Sequence, residues 1–121
     1  MLVDGLRQLG LLQGELDGLI EQGAYRHLYM HRTGHWLGLD VHDVGAYRLG
    51  DHPVSLEEGM VLTVEPGLYI SDRLQPPAGQ PSIDERWKGI GIRIEDDVAV
   101  SSDGFEVLTA AALKSVDAME R

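Results

Sequence analysis

The alternating segment between Gly89 and Val100 constrains the fold more than any other part of the sequence. Its apolar residues alternate with small or charged ones, with Ile90, Ile92 and Ile94 in one set and Gly91, Arg93 and Glu95 in the other. Successive side chains of a β-strand point to opposite faces. The segment therefore predicts a strand with Arg93 and Glu95 on one face. These two side chains form either a solvated ion pair or a contact through a shared neighbour.

The flanking sequence predicts short helices and further strands. Leucines spaced three or four residues apart within the first 24 residues predict two short amphipathic helices. The apolar run from Met60 to Ile70, interrupted by Pro66 and Gly67, predicts two strands joined at a bend. Residues 73–88 contain prolines and little apolar material, which predicts an exposed loop. A last strand is expected near residues 105–108, followed by a helical tail over residues 115–121.

Charge and composition limit the classes of partner. The 121 residues include 20 Asp and Glu against 10 Lys and Arg, a formal net charge of −10 that repels phosphate backbones. We therefore expect no nucleic-acid partner. No apolar run approaches the roughly 18 residues of a membrane span, so no membrane partner is expected either. The length predicts a single domain over residues 1–121. The absence of cysteine fits a cytoplasmic protein and restricts metal ligands to His, Asp and Glu.

Three histidines, His31, His35 and His42, lie within twelve residues of one another. A helical zinc motif is a poor fit, because Gly34 and Gly38 disfavour a helix and no Glu follows His31. In a looped segment the imidazoles can converge on one site. A cluster of surface histidines is the alternative, and the spacing alone does not decide between the two.

Glu65 ends the apolar run, and Pro66 biases it toward an extended conformation. Its carboxylate is expected to be either half-buried with a partner or exposed at a strand end. One imidazole with two strand-borne carboxylates, from Glu65 and Glu95, would suit Mn²⁺, Co²⁺ or Mg²⁺ better than a structural zinc.

Three stretches of the chain resemble the bacterial aminopeptidase P family, and the likeness runs from about Leu2 to Thr109. They are His31 to Tyr47, Glu58 to Tyr69, and Gly89 to Asp97. The resemblance implies an α+β fold, namely the C-terminal half of a pita-bread domain with short helices packed on a curved, mostly antiparallel sheet. The first half of that domain and the family's N-terminal domain are expected to be absent.

The family likeness implies a metal site made by His35, Glu65 and Glu95. The complete family site holds two divalent ions and uses two further Asp ligands, which nothing in this sequence supplies. We therefore expect at most one weakly bound ion here, with manganese as the metal.

The same likeness implies how the other residues act. Glu65 is the expected proton acceptor in catalysis, His42 and His31 the imidazoles that contact the substrate, and Arg93 the guanidinium beside the ligands. The implied reaction is hydrolysis of the bond between an N-terminal residue and a proline at the second position of a peptide.

The missing half of the site shapes the expectations for the isolated chain. It is expected to be inactive alone, and to form a homodimer or pair with a complementing N-terminal half. Two alternatives stay open: a prolidase-type dipeptidase and a non-catalytic pita-bread binding module.

Overall fold

The computed structural model describes residues 1–121, which divide into two compact units. The first unit comprises Met1–His31 with Gly67–Ile92, and the second comprises Arg32–Pro66 with Arg93–Arg121. The expectation of one partial catalytic domain stays a prediction.

Short helices and short strands make up the chain. The α-helices are α1 (Leu2–Gln8), α2 (Leu16–Glu21) and α3 (Val116–Met119), with 3₁₀ turns at Ala24–His27 and Glu85–Trp87. The strands are β1 (Leu37–Gly38), β2 (Val41–His42), β3 (Arg48–Leu49), β4 (His52–Pro53), β5 (Val61–Val64), β6 (Gly67–Ile70), β7 (Ile90–Arg93), β8 (Asp96–Ser101) and β9 (Gly104–Val107). The longest α-helix, α1, has 7 residues, and none of the helices could span a lipid bilayer. This mixture of short helices and strands matches the predicted α+β class.

The first unit is built on an apolar core. Part of the predicted leucine pattern lies inside it, from α1, α2, the segment between them and the turn after α2, together with a residue of β6. Leu2, Leu9 and Ile20 of the same pattern are exposed. The buried members are Val3, Leu6, Leu11, Leu12, Leu19, Leu28 and Ile70. Strand β6 pairs with β7 in this part of the fold.

The proline-containing segment of residues 73–88 packs more closely than predicted. Leu74, Ile83 and Trp87 lie partly buried against the apolar core. The Gln80 side chain also accepts a hydrogen bond from the Gln13 backbone N–H at 3.0 Å and donates one to the Gln13 carbonyl at 3.3 Å. These three apolar side chains are enough to anchor a segment that otherwise has the composition of an exposed loop.

The second unit is built on the antiparallel sheet β5-β8-β9. Two short hairpins, β1-β2 and β3-β4, precede it. The register pairs Thr63 with Asp97 and Leu62 with Val98. Because successive residues point to opposite faces, one face of β5 carries Thr63 and the other carries Leu62 and Val64.

The single strand predicted between Gly89 and Val100 is divided in two. Strand β7 ends at Arg93 and β8 begins at Asp96, with Ile94 and Glu95 between them. The reason is a change of partner, because β7 pairs with β6 whereas β8 pairs with β5. Glu95 therefore lies at the junction and not inside a regular strand.

Candidate metal centre

A close backbone approach brings residues 33–35 against the end of β5. The Thr63 N–H donates to the His35 carbonyl at 2.8 Å, and the Glu65 N–H donates to the Thr33 carbonyl at 2.6 Å. Between these bonds, a Cβ on Gly34 would lie 2.0 Å from the Thr63 carbonyl oxygen. Only glycine fits such an approach. The segment that the histidine pattern singled out is thereby fixed beside Glu65.

The backbone of the next residue orients the His35 ring. Its Nδ1 lies 2.9 Å from the Trp36 carbonyl oxygen. A carbonyl only accepts hydrogen bonds, so the Nδ1 atom carries the hydrogen, and Nε2 presents a lone pair when the ring is neutral. That Nε2 faces Glu65 Oε1 at 3.3 Å. Two acceptor atoms so close need a proton or a cation between them.

Glu65 is a buried carboxylate with several partners. The residue is 8% exposed. Its Oε1 faces His35 and accepts a hydrogen bond from the Thr63 hydroxyl at 3.2 Å, while Oε2 lies 3.4 Å from an Arg93 guanidinium nitrogen. Of the two alternatives for Glu65, the one with a partner is observed, with deeper burial than the predicted half-burial, and exposure at a strand end is wrong. Arg93 reaches the cluster through Glu65 as the shared neighbour.

Glu95 completes the cluster. One ligand atom from each of His35, Glu65 and Glu95 lies within 4.8 Å of the others, with Glu95 exposed and His35 half-buried. Ligands about 2.0–2.2 Å from a common ion can be up to about 4.4 Å apart, so the spacing is close to that of a binding site. One imidazole nitrogen and carboxylate oxygens form a donor set that suits a divalent cation. The three residues therefore fit a metal ion on both geometry and chemistry.

His42 lies beside His35 on a strained turn. Val41 has a φ of +65°, and the His42 N–H donates to the Asp40 carbonyl at 2.7 Å, which is the pattern of a tight γ-turn. A β-branched residue rarely takes such a φ. The turn brings the exposed His42 ring to a centroid distance of 4.1 Å from the His35 ring. Gly38 permits it, because a Cβ there would lie 2.5 Å from the His42 carbonyl carbon.

His31 belongs to the first unit. Its Nε2 lies 3.1 Å from the Tyr69 hydroxyl, and its ring contacts the rings of Tyr29 and Tyr69 at centroid distances of 5.2 and 5.3 Å. The structure therefore brings His35 and His42 together within the second unit and gives His31 an aromatic environment of its own. The predicted substrate contacts of His31 and His42 stay predictions.

A second polar cluster holds the start of β8, next to Glu95. The Thr109 hydroxyl accepts from the Asp97 N–H at 3.0 Å and donates to Asp96 Oδ1 at 2.7 Å, and Lys114 Nζ lies 2.8 Å from the same oxygen. The hydrogen bond from Lys114, followed by that from Thr109, lowers the pKa of the Asp96 carboxyl. This cluster anchors the C-terminal segment to β8.

The sequence patterns missed two residues of the site, Thr63 and Gly34. Thr63 sits on β5 two residues before Glu65, which directly follows the strand, and in an extended chain this spacing places both side chains on one side. This two-residue spacing was the sequence signal that could have identified Thr63. Nothing in the local sequence shows that Gly34 lies against Thr63, since the two are 29 residues apart.

The chain belongs to the metallopeptidase family M24, whose model matches residues 3–102. It is 52% identical over 116 residues to the Xaa-Pro aminopeptidase of Haemophilus influenzae, an alignment that covers 96% of this chain and 25% of that protein. The chain thus spans about a quarter of the length of the curated relatives it matches.

Solved structures agree with the fold. The aminopeptidase PepP of Pseudomonas aeruginosa superposes with a TM-score of 0.86 at 52% identity, covering 98% of this chain and 25% of that one. A zinc-substituted Escherichia coli aminopeptidase P in complex with product gives a TM-score of 0.83 at 51% identity, with 98% and 25% covered. The prediction of an α+β, pita-bread fold of the aminopeptidase P type is confirmed.

Proposed function

We propose that this chain supplies part of the active site of a metal-dependent Xaa-Pro aminopeptidase. The observation that carries the proposal is the contact of two acceptors, His35 Nε2 and Glu65 Oε1, 3.3 Å apart in a cluster completed by Glu95. Membership of a metallopeptidase family and relatives named Xaa-Pro aminopeptidases support it. The substrate is a peptide with proline at its second position.

The proposed cofactor is a divalent ion held by His35 Nε2 and the carboxylates of Glu65 and Glu95. Manganese is the proposed metal, because the donor set is rich in oxygen. When bound, such an ion polarises the scissile carbonyl and makes water more acidic. With three protein ligands from this chain, we propose one weakly held ion.

The residues around the ion would transfer the proton and contact the substrate. Glu65 accepts a proton from the attacking water and delivers it to the leaving proline nitrogen. Arg93, whose guanidinium nitrogen lies 3.4 Å from Glu65 Oε2, holds that carboxylate in place. The exposed His42, beside His35, donates a hydrogen bond to the substrate, and His31 is proposed to contribute a second contact with the peptide.

The proposed partner is a complementing N-terminal half or, failing that, a second copy of the chain. The face of the second unit's sheet opposite Thr63 is mostly apolar by register, with Asp96 as its charged member and Leu62, Val64, Val98, Val100, Phe105 and Val107 beside it. Phe105 is 70% exposed and Val64 is 40% exposed. Exposed apolar faces of this kind favour association. The cytoplasmic location expected from the cysteine-free sequence is part of the same proposal.

The experiment is reconstitution. The 121-residue chain is mixed with a separately expressed N-terminal portion of the E. coli enzyme and supplied with Mn²⁺, and cleavage of an Xaa-Pro-Xaa tripeptide is compared with cleavage of an Xaa-Pro dipeptide. We expect tripeptide cleavage by the mixture and none by either part alone. Glu65→Gln should abolish turnover, whereas Glu106→Gln, a change at an exposed carboxylate of β9, should preserve it.

Two results would contradict the proposal. Preferential cleavage of the dipeptide would indicate a prolidase. A stable complex of the two parts that cleaves neither substrate would favour a non-catalytic binding module. Sedimentation equilibrium of each sample separates failure to associate from failure to react, and a clean monomer of 13.3 kDa for the isolated chain would exclude the homodimer.

A further inference from the structure

Thr63 and Glu65 are the two buried polar residues of the chain, and Thr63 is 1% exposed. Burial of a hydroxyl is unfavourable unless it is hydrogen-bonded. The partners of the Thr63 hydroxyl are the backbone of His35 and the side chain of Glu65. Both residues belong to the candidate metal centre.

The direction of each hydrogen bond follows from the chemistry. The His35 N–H donates to Thr63 Oγ1 at 3.0 Å, so this oxygen is the acceptor in that bond. A hydroxyl has a single hydrogen, and the Thr63 hydrogen points to Glu65 Oε1 at 3.2 Å. One atom therefore links the backbone of the imidazole ligand to an oxygen of the carboxylate ligand.

Glu65 is held at both oxygens by different residues. Thr63 contacts Oε1, and Arg93 lies 3.4 Å from Oε2. The last torsion of a Glu side chain is soft, so a carboxylate held at one oxygen can take many orientations. Two contacts on different oxygens fix its plane and thus the lone pairs that remain for an ion.

We propose that Thr63 is a positioning residue of the metal centre, which sets the orientation of the Glu65 carboxylate relative to His35 before an ion binds. The inference rests on the proposed metal-dependent function, since it assigns Thr63 a role toward the ion. Groups that orient metal ligands in this way typically change metal affinity about 10–100-fold when they are removed.

Three substitutions separate the hydroxyl from the rest of the side chain. Thr63→Val keeps the β-branched shape that suits β5 and removes the hydroxyl. Thr63→Ala removes it without adding an apolar group beside Glu65. Thr63→Ser keeps the hydroxyl and loses only the methyl group.

A matched control is available at Thr109. Its hydroxyl also accepts from a backbone N–H and donates to a carboxylate, at 3.0 and 2.7 Å. Its partners are Asp97 and Asp96, so it contacts neither His35 nor Glu65. Thr109→Val therefore removes the same chemistry from the same unit away from the two linked ligands.

The test is calorimetric titration of the 121-residue chain and its variants with Mn²⁺, with thermal unfolding of each metal-free protein measured alongside. We expect Thr63→Val and Thr63→Ala to bind Mn²⁺ about 10–100-fold more weakly than the unchanged chain. Thr63→Ser and Thr109→Val should bind it within about threefold of the unchanged chain. If the valine variant does not fold, the alanine and serine variants carry the comparison.

The outcomes separate this inference from the proposed function. Unchanged affinity in the hydroxyl-free variants, together with lost affinity in His35→Ala, would overturn the role of Thr63 and leave the metal centre standing. Equal weakening in Thr63→Ser and Thr63→Ala would also overturn it, because the hydroxyl would not matter. Absence of Mn²⁺ binding by the unchanged chain would overturn both.

Discussion

The two units of the molecule bury opposite kinds of side chain. Every fully buried apolar residue belongs to the first unit, whereas the buried residues of the second unit are Thr63 and Glu65. Burial of apolar surface stabilises a fold by roughly 25 cal/mol per Å² and needs no specific partner. A buried carboxylate, in contrast, must be paired and hydrogen-bonded. The comparison indicates that the first unit is stabilised by its core and that the second is organised around its site.

The exposed apolar side chains of the second unit support the same conclusion. Leu39 and Val44 of the second unit are fully exposed, and Leu49 is 70% exposed. Apolar burial therefore contributes less to the stability of the second unit than to that of the first. Ordered polar contacts at its centre, and anything that binds there, should matter more to its stability.

The largest expected effect tests the core of the first unit. Leu28 is 0% exposed. Leu28→Ala removes buried methyl groups and leaves a cavity, so it should lower the free energy of unfolding by about 2–5 kcal/mol in a urea titration. Leu39→Ala, at a fully exposed leucine of the second unit, is the control and should change it by less than about 0.5 kcal/mol. Equal losses in the two variants would contradict the comparison.

The next effect tests the site of the second unit through its proposed ligand. Mn²⁺ at about 100 times its dissociation constant should stabilise whatever folding unit it binds by about 2.7 kcal/mol. Amide hydrogen exchange should therefore slow in residues 33–35 and 61–65. Amides of α1, within the first unit, are the internal reference and should show a smaller change. Greater protection of α1 than of the site would contradict the assignment.

A smaller effect is expected at Gly34. Any Cβ there would lie 2.0 Å from the Thr63 carbonyl oxygen, so the backbone must move apart. Gly34→Ala should destabilise the chain by about 1–3 kcal/mol and weaken Mn²⁺ binding. A Cβ on Gly104 would meet no atom within 4 Å, so Gly104→Ala should leave binding unchanged. A Gly34→Ala variant that binds Mn²⁺ normally would argue against the close approach.

The smallest effect is a pH dependence in the first unit. Burial lowers the pKa of His27 from 6.5, and its buried Nε2 has no hydrogen-bond partner. The unfolded chain then binds more protons than the folded chain below about pH 6.5, so folding stability should fall as the pH drops through that range. Replacing the imidazole in His27→Gln should make the pH dependence of thermal unfolding shallower. His52→Gln, at an exposed histidine of the second unit, should leave the slope unchanged.

Local pattern predicted the parts of the site that follow strand geometry. The position of Glu65 at a strand end limited it to two environments. Alternation predicted Arg93 and Glu95 on one face of a strand, but the strand ends at Arg93 and both residues lie near Glu65 instead. The resemblance grouped these residues with His35, and the structure brings the three proposed ligands together. Their role as metal ligands stays a prediction.

The missed features depend on contacts between distant residues. The break at Ile94 and Glu95 arises because two successive strands pair with different partners, which local alternation does not encode. The hydroxyl of Thr63 can contact both His35 and Glu65 because Gly34 lets residues 33–35 lie close against the Thr63 backbone. The core contribution of Trp87 likewise becomes visible only when the proline-containing segment packs.

Titration of the chain with Mn²⁺ decides whether His35, Glu65 and Glu95 form a metal centre. We expect one weak site per chain that is lost in His35→Ala and in Glu95→Gln, and retained in Glu106→Gln. Affinity should fall as the pH is lowered, because protons compete with the ion for His35 Nε2. Unchanged binding in His35→Ala and Glu95→Gln would contradict the claim, and two tightly bound ions would contradict the expected single weak site.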